Sequence, residues 1–252
     1  LHQRARRALQ RWFRHPGNLR ADDFRESFLN NLPRLRDGLW KIRTAWNRGI
    51  FHIRDAGELP KRYIYFPLQY TPESSINTPA PYFVDQLRVI DAIRFAMPSD
   101  CLLVIKEHPS GVLIRSGDFL RRVRGLPGVR IAHLHMPSRE LIQRSDLVIS
   151  VTGTAIFEAL LLGKQAIALG GCFFAEAAGG VCPLGDLEKR IALSLGRKFP
   201  LSQAVELVAK VQSCSYPVHF GSPGIPGEPV LRDVNVDAIL DAVLDHTRKI
   251  KG

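Results

Sequence analysis

Four short stretches carry residue types whose spacing suits the binding of an anionic ligand. The first is "VIKEHPSG", residues 104–111. Four apolar residues at 102–105 run straight into Lys106, Glu107, His108 and Pro109. Pro109 holds the residue before it in an extended backbone, so a strand stops here with His108 at its carboxyl end. Lys106 and His108 lie two apart and can project to one side, with Glu107 on the other. A cation and an imidazole there can hold an anion. The alternative is a His108 that serves a neighbouring carbonyl and a Lys106 that is solvated.

The second stretch is "SVTGTAIFEALLLG", residues 150–163. Thr152, Gly153 and Thr154 form a tight turn that would put hydroxyls and backbone N–H groups at a helix start, which suits a phosphate. Glu158 comes four residues after Thr154, one turn further along the same face. An ionised carboxylate only accepts hydrogen bonds, so it suits a ribose diol. The alternative is a plain threonine cap beside a solvated or salt-bridged glutamate. The third stretch is the loop "PLQYTPESSINTPAP", residues 67–81, where Gln69, Glu73, Ser74 and Ser75 can reach the same edge or lie on an ordinary surface loop. The fourth is "GGCFF", where Gly170 and Gly171 allow a close backbone approach or simply a tight turn.

The elements that must position these residues alternate. Strands are expected at 63–66, 101–107, 129–133, 146–151 and 165–169. Helices are expected at 82–97, 117–126, 138–144 and 152–163, with more at 186–197, 202–214 and 234–249. Strands and helices at such short intervals make β-α-β units, hence an α/β fold with a Rossmann-like parallel sheet and helices on both faces. In such a sheet, ligands bind beyond the carboxyl ends of the strands, where the first three stretches would lie. Residues 1–14 and 21–49 look helical and precede the sheet, so the chain reads as a basic helical segment (1–62) followed by the Rossmann-like domain (63–252).

Composition bounds the partners. The 252 residues carry a formal charge of +11. Residues 1–62 hold 15 Lys+Arg against 6 Asp+Glu, and the rest hold 20 against 18. So basic a leading segment suggests an anionic partner, or else a solvated arginine-rich face. Its aromatics recur at helical spacing, which fits packing better than base stacking, so nucleic acid is not expected. No apolar run reaches the roughly 18–20 residues of a membrane span. The charged start has no signal-peptide core. Cys101, Cys172, Cys182 and Cys214 form no C-x-x-C pair. They read as free thiols of a cytoplasmic protein. His133 and His135 have no carboxylates at metal-site spacing and read as structural. There is no G-x-G-x-x-G, no phosphate-loop lysine motif and no G-x-S-x-G elbow.

Taken in order, "YFPLQYTPESS", "YFVDQLRVIDAI", "LLVIKEHPS" and "SDLVISVTGTAIFEALLLGKQAIALGG" resemble the bacterial capsule polysaccharide biosynthesis family, which includes Kdo transferases. The resemblance covers about residues 63–182. It implies a GT-B glycosyltransferase, built of two Rossmann-like domains facing a cleft, with this chain similar to the C-terminal, nucleotide-sugar-binding half. His108 and Pro109 resemble the His-Pro motif of CMP-sugar-using sialyltransferases, in which the histidine contacts the donor phosphate. Thr152 and Thr154 resemble the partner motif, and Glu158 the glutamate at the ribose. No complete Rossmann-like domain precedes Tyr63, so the catalytic acid or base is expected in a preceding half and no catalytic residue is assigned.

The resemblance implies a CMP-Kdo donor, a glycolipid or saccharide acceptor, and peripheral association with the inner membrane through residues 1–62. No cofactor or metal is required, because Lys106, His108 and the turn at Thr154 already offer positive charge and donors. The alternatives are a UDP-sugar donor or a non-catalytic nucleotide-binding or scaffold module.

Overall fold

The computed structural model describes residues 49–71, 74–108, 111, 115–213 and 215, with 237, 238, 241, 242 and 245 beyond them. The helices expected at 1–14 and 21–49, most of the one at 234–249, and Cys214 lie outside the described residues. The described part divides between Lys198 and Phe199 into two compact units.

The first unit is built on five parallel strands: β1 (Tyr63–Pro67), β2 (Leu102–Lys106), β3 (Val129–Ala132), β4 (Leu147–Ser150) and β5 (Ala166–Ala168). Their order is β3-β2-β1-β4-β5. Chain order runs outward on both sides of β1, so the switch in direction falls between β1 and β4. That is where an open α/β sheet leaves a crevice at its carboxyl edge. All but the ends of β1, β2, β4 and β5 are buried, and in β3 only Arg130 is partly exposed, as parallel strands covered on both faces require.

Side-chain alternation sorts the two faces. Ile64, Phe66, Leu103, Ile105, Val129, Ile131, Leu147 and Ile149 share one core with α2 (Gln86–Ala96), α3 (Gly117–Arg124) and α6 (Leu187–Ser194). Ile50 and Phe51 also join that core, and Ile53 bridges in parallel to Ala132 at the sheet edge. Tyr63, Tyr65, Val104, Lys106, Val148 and Ser150 occupy the alternate positions. Here α4 (Ser138–Arg144) packs on α5 (Ala155–Leu161), and the Tyr63 hydroxyl donates to the Leu141 carbonyl of α4 at 2.7 Å. Helices therefore cover both faces.

The expected loop at 67–81 contains one helical turn, α1 (Ser74–Asn77). The helix expected from residue 82 starts only at Gln86. Pro81 opens a separate 3-10 turn over Pro81–Phe83, and Asp85 caps α2 by accepting from the Leu87 N–H at 3.2 Å. The second unit contains α7 (Leu201–Ser213), which buries Ala204 and Leu207.

Two buried tyrosines on one strand offer an internal control. Tyr63 donates a buried hydrogen bond, whereas the fully buried Tyr65 hydroxyl has no hydrogen-bond partner. Tyr63→Phe should lower unfolding free energy by about 1 kcal/mol, the net worth of one such bond. Tyr65→Phe should lose nothing. Urea denaturation of both variants checks the contrast, and equal losses would contradict it.

Candidate functional site at the sheet's switch point

The crevice between β1 and β4 is organised by the peptide of Gln69, two residues past β1. The Gln69 N–H donates to Gln86 Oε1 at 2.7 Å, and Gln86 Nε2 donates back to the Gln69 carbonyl at 2.8 Å. Gln86, 1% exposed at the start of α2, thereby imitates a neighbouring strand and satisfies both polar groups of a buried peptide. Arg115 adds a donor to the same carbonyl at 2.6 Å and pairs with Glu107 at 2.5 Å. Held this way, the Gln69 side chain crosses the crevice and donates from Nε2 to Ser150 Oγ at 3.0 Å. Ser150 Oγ in turn accepts from the Gly153 N–H at 3.3 Å.

Gly153 is required by space. A Cβ there would sit 2.9 Å from both Gln69 Nε2 and Ser150 Oγ. The turn then presents Thr152, whose buried Oγ1 has no hydrogen-bond partner, and Thr154, which makes no side-chain cap. Thr154 Oγ1 instead meets Glu158 Oε1 at 3.4 Å, and both residues are exposed. Helix α5 has only seven residues, so the hydroxyls and the turn, rather than a long helix dipole, give this edge its chemistry.

Beyond β2, His108 is exposed, with its ring 5.9 Å from that of Tyr70. Tyr70 follows Gln69 directly, so His108 lies on the β2 side of the loop that leaves β1. Its neighbour Glu107 turns inward, 1% exposed, to Arg115. Lys106 also lies inward, but on the other face. It is 7% exposed, and its Nζ donates to Ser138 Oγ at 3.1 Å. Among the described residues no carboxylate lies within ion-pair distance of it. Burial holds its ammonium pKa below the ordinary 10.5.

The structure therefore brings together Gln69, Gly153 and its neighbours Thr152 and Thr154, and Glu158. It sets His108 at the end of the adjacent strand β2, beside Tyr70, and Lys106 deeper. The room a side chain would need at Gly170 is taken by Ala80 and Thr152, with Ala80 Cβ 2.7 Å from the added atom. Glu73 and Pro109, and the side chains of Ser74 and Ser75, lie outside the described residues. Sequence reasoning missed Gln86, Ser150, Arg115 and Tyr65. Only Ser150, two residues before Thr152, carried a local signal. His133 packs edge-on to Phe51 and lies beside His135. Among the described residues no three His, Cys, Asp or Glu side chains group as a metal site, and no helix is long and apolar enough to cross a membrane.

A Rossmann-like parallel sheet with a polar crevice at its switch point defines a class of ligand-binding α/β domains. This chain belongs to the capsule polysaccharide biosynthesis protein family, whose model matches residues 40–204. It is similar to protein FixF of Sinorhizobium fredii (strain NBRC 101917 / NGR234), 28% identical over 171 residues, 62% of this chain and 40% of that protein. Among solved structures it is similar to the KpsC beta Kdo 2,7 transferase of Thermosulfurimonas dismutans. That match has 20% identity and a TM-score of 0.40, over 61% of this chain and 56% of that one. The spinosyn rhamnosyltransferase SpnG, complexed with thymidine diphosphate, matches at 20% identity and a TM-score of 0.41, over 61% of this chain and 42% of that one. The chain thus spans less than two thirds of each of these relatives.

Two substitutions test the frame. Gln86→Leu strands a buried peptide N–H and should destabilise by about 1–3 kcal/mol in chemical denaturation. Lys106→Met removes a desolvated charge and should leave the protein at least as stable as the wild type at neutral pH. The folded-state pKa of Lys106 lies below the unfolded 10.5, so the unfolded chain binds the extra proton between those values. The burial penalty is complete below the folded pKa and fades as pH rises towards 10.5. The stability gap between variant and wild type should therefore narrow over that window, and a constant gap would contradict the assignment.

Proposed function

We propose that this chain is the nucleotide-sugar-binding half of a GT-B glycosyltransferase of capsule polysaccharide biosynthesis. It takes CMP-Kdo as donor and serves transfer to a glycolipid acceptor. The observation that carries the reading is the switch-point crevice itself. It carries an unpartnered Thr152 hydroxyl and the Thr154–Glu158 pair on a braced turn, and the exposed His108 ends the neighbouring strand β2. Family membership supports the pathway, and the His-Pro pair at 108–109 supports the cytidine nucleotide.

In this reading His108 and the Thr152–Thr154 turn face the donor phosphate, and Glu158 accepts from the ribose diol. During transfer the bond between the anomeric carbon and the phosphate oxygen breaks. The nucleoside monophosphate leaves with the electron pair as the acceptor oxygen bonds to that carbon and gives up its proton. Donors already in place around the phosphate stabilise the charge that builds on the leaving group. The Gln86–Gln69–Ser150 bridge supplies that preorganisation, because it fixes the turn before any ligand arrives.

Calorimetric titration with CMP and with UDP tests the reading. CMP should bind and UDP should not. His108→Ala should weaken CMP by about tenfold or more, the loss of one hydrogen bond to a charged group. Unchanged CMP affinity in that variant would remove His108 from the site. Binding of UDP alone would move the donor to another sugar class.

A further inference from the structure

Lys106 is the starting point. A cation so buried is unfavourable unless a negative partner meets it, and among the described residues its ammonium has only the Ser138 hydroxyl. Tyr65 lies on the same face of the adjacent strand. It pairs in register with Val104, which makes Lys106 its diagonal neighbour on that face. Ser138, at the first turn of α4, is the shared neighbour. It touches Lys106 Nζ and lies beside the Tyr65 phenol without forming a hydrogen bond of normal geometry; burial raises the pKa of that phenol, Ser138 offsets the rise in part, and the Glu158 carboxylate adds to it. The Tyr65 hydroxyl is fully buried and has no hydrogen-bond partner.

Unsatisfied donors and an uncompensated positive charge thus converge at one place, with half-buried Ser138 at its outer side. Water alone would leave the charge uncompensated, and among the described residues no carboxylate side chain is supplied. We propose that Lys106, Tyr65 and Ser138 form an oxyanion-binding subsite beneath the switch-point crevice, filled by an anionic oxygen group of the bound donor. Lys106 supplies the charge, and Tyr65 donates its otherwise unpaired O–H. Ser138 turns its own O–H to the same group while accepting from Lys106. The oxyanion is either the nucleotide phosphate or the carboxylate of an acidic sugar. The carrier's identity rests on the nucleotide-sugar reading, whereas the anion site itself does not.

The test uses the full chain, Tyr65→Phe and Lys106→Met, titrated with inorganic phosphate, with acetate and with CMP at matched ionic strength. Phosphate or acetate should bind the wild type. Lys106→Met should abolish that binding, and Tyr65→Phe should weaken it about tenfold. Loss on the phosphate arm assigns the subsite to the nucleotide phosphate, and loss on the acetate arm alone assigns it to a sugar carboxylate. Tyr65→Phe removes only an unpartnered hydroxyl, so it decides the matter if Lys106→Met does not fold. Wild-type binding of neither simple anion, or variants that bind them like the wild type, overturns the subsite. CMP binding retained in that outcome leaves the nucleotide-sugar reading intact. Anion binding with the expected losses but no response to CMP sinks that reading and not the subsite.

Discussion

The peptide of Gln69 is the point from which the crevice hangs. A chain leaving the central strand of a parallel sheet has no neighbouring strand for its next N–H and C=O, and burial makes their satisfaction obligatory. Here Gln86 meets both, at 2.7 and 2.8 Å, so a side chain replaces a strand. One consequence is local: the chain past β1 cannot relax into the crevice and close it. Another crosses the switch point, because the anchored Gln69 amide reaches Ser150 and through it the Gly153 N–H. Two sheet edges that need not have communicated are thereby held in one geometry.

Charge is sorted by the same alternation that sorts the core. Successive residues at the end of β2 point to opposite faces. Glu107 faces Arg115 in a buried pair, 1% and 10% exposed, and that pair also braces the Gln69 carbonyl. Lys106 faces the other way, against Ser138, with no such compensation among the described residues. A buried pair is self-sufficient and serves the scaffold. A buried lone cation is not, and it keeps a standing preference for a negative ligand. The two neighbours in "KE" therefore differ in kind, one spent on a buried ion pair and the other, in the proposed subsite, met by a bound anion.

Much of the fold was legible in the sequence, because the alternation of apolar runs with amphipathic stretches depends on local periodicity. The expected strands overlay β1 to β5, and "SRELIQR" coincides with α4. The start of α2 was not legible, since Pro81 and Asp85 each signal a helix opening and only the tertiary contacts choose between a 3-10 turn and the helix proper. At the site, "KEHP" and "TGTAIFE" announced themselves through unusual residue types at strand ends. Gln86 and Tyr65 did not, because a glutamine within an amphipathic helix and a tyrosine within an apolar strand carry no local mark of function.

What the sequence determined by itself was the kind of architecture and the edge on which chemistry would sit. Strand-ending polar clusters can only lie at carboxyl ends when the strands are parallel and buried. What only the tertiary structure decided was which edges meet. The order β3-β2-β1-β4-β5 puts Gln69 beside Ser150, residues 81 positions apart. It also places Lys106 against Ser138, on the face and the diagonal of Tyr65, rather than in solvent. Strand order is set by how the helices cover the two faces together, a long-range packing choice that no local window of residues contains.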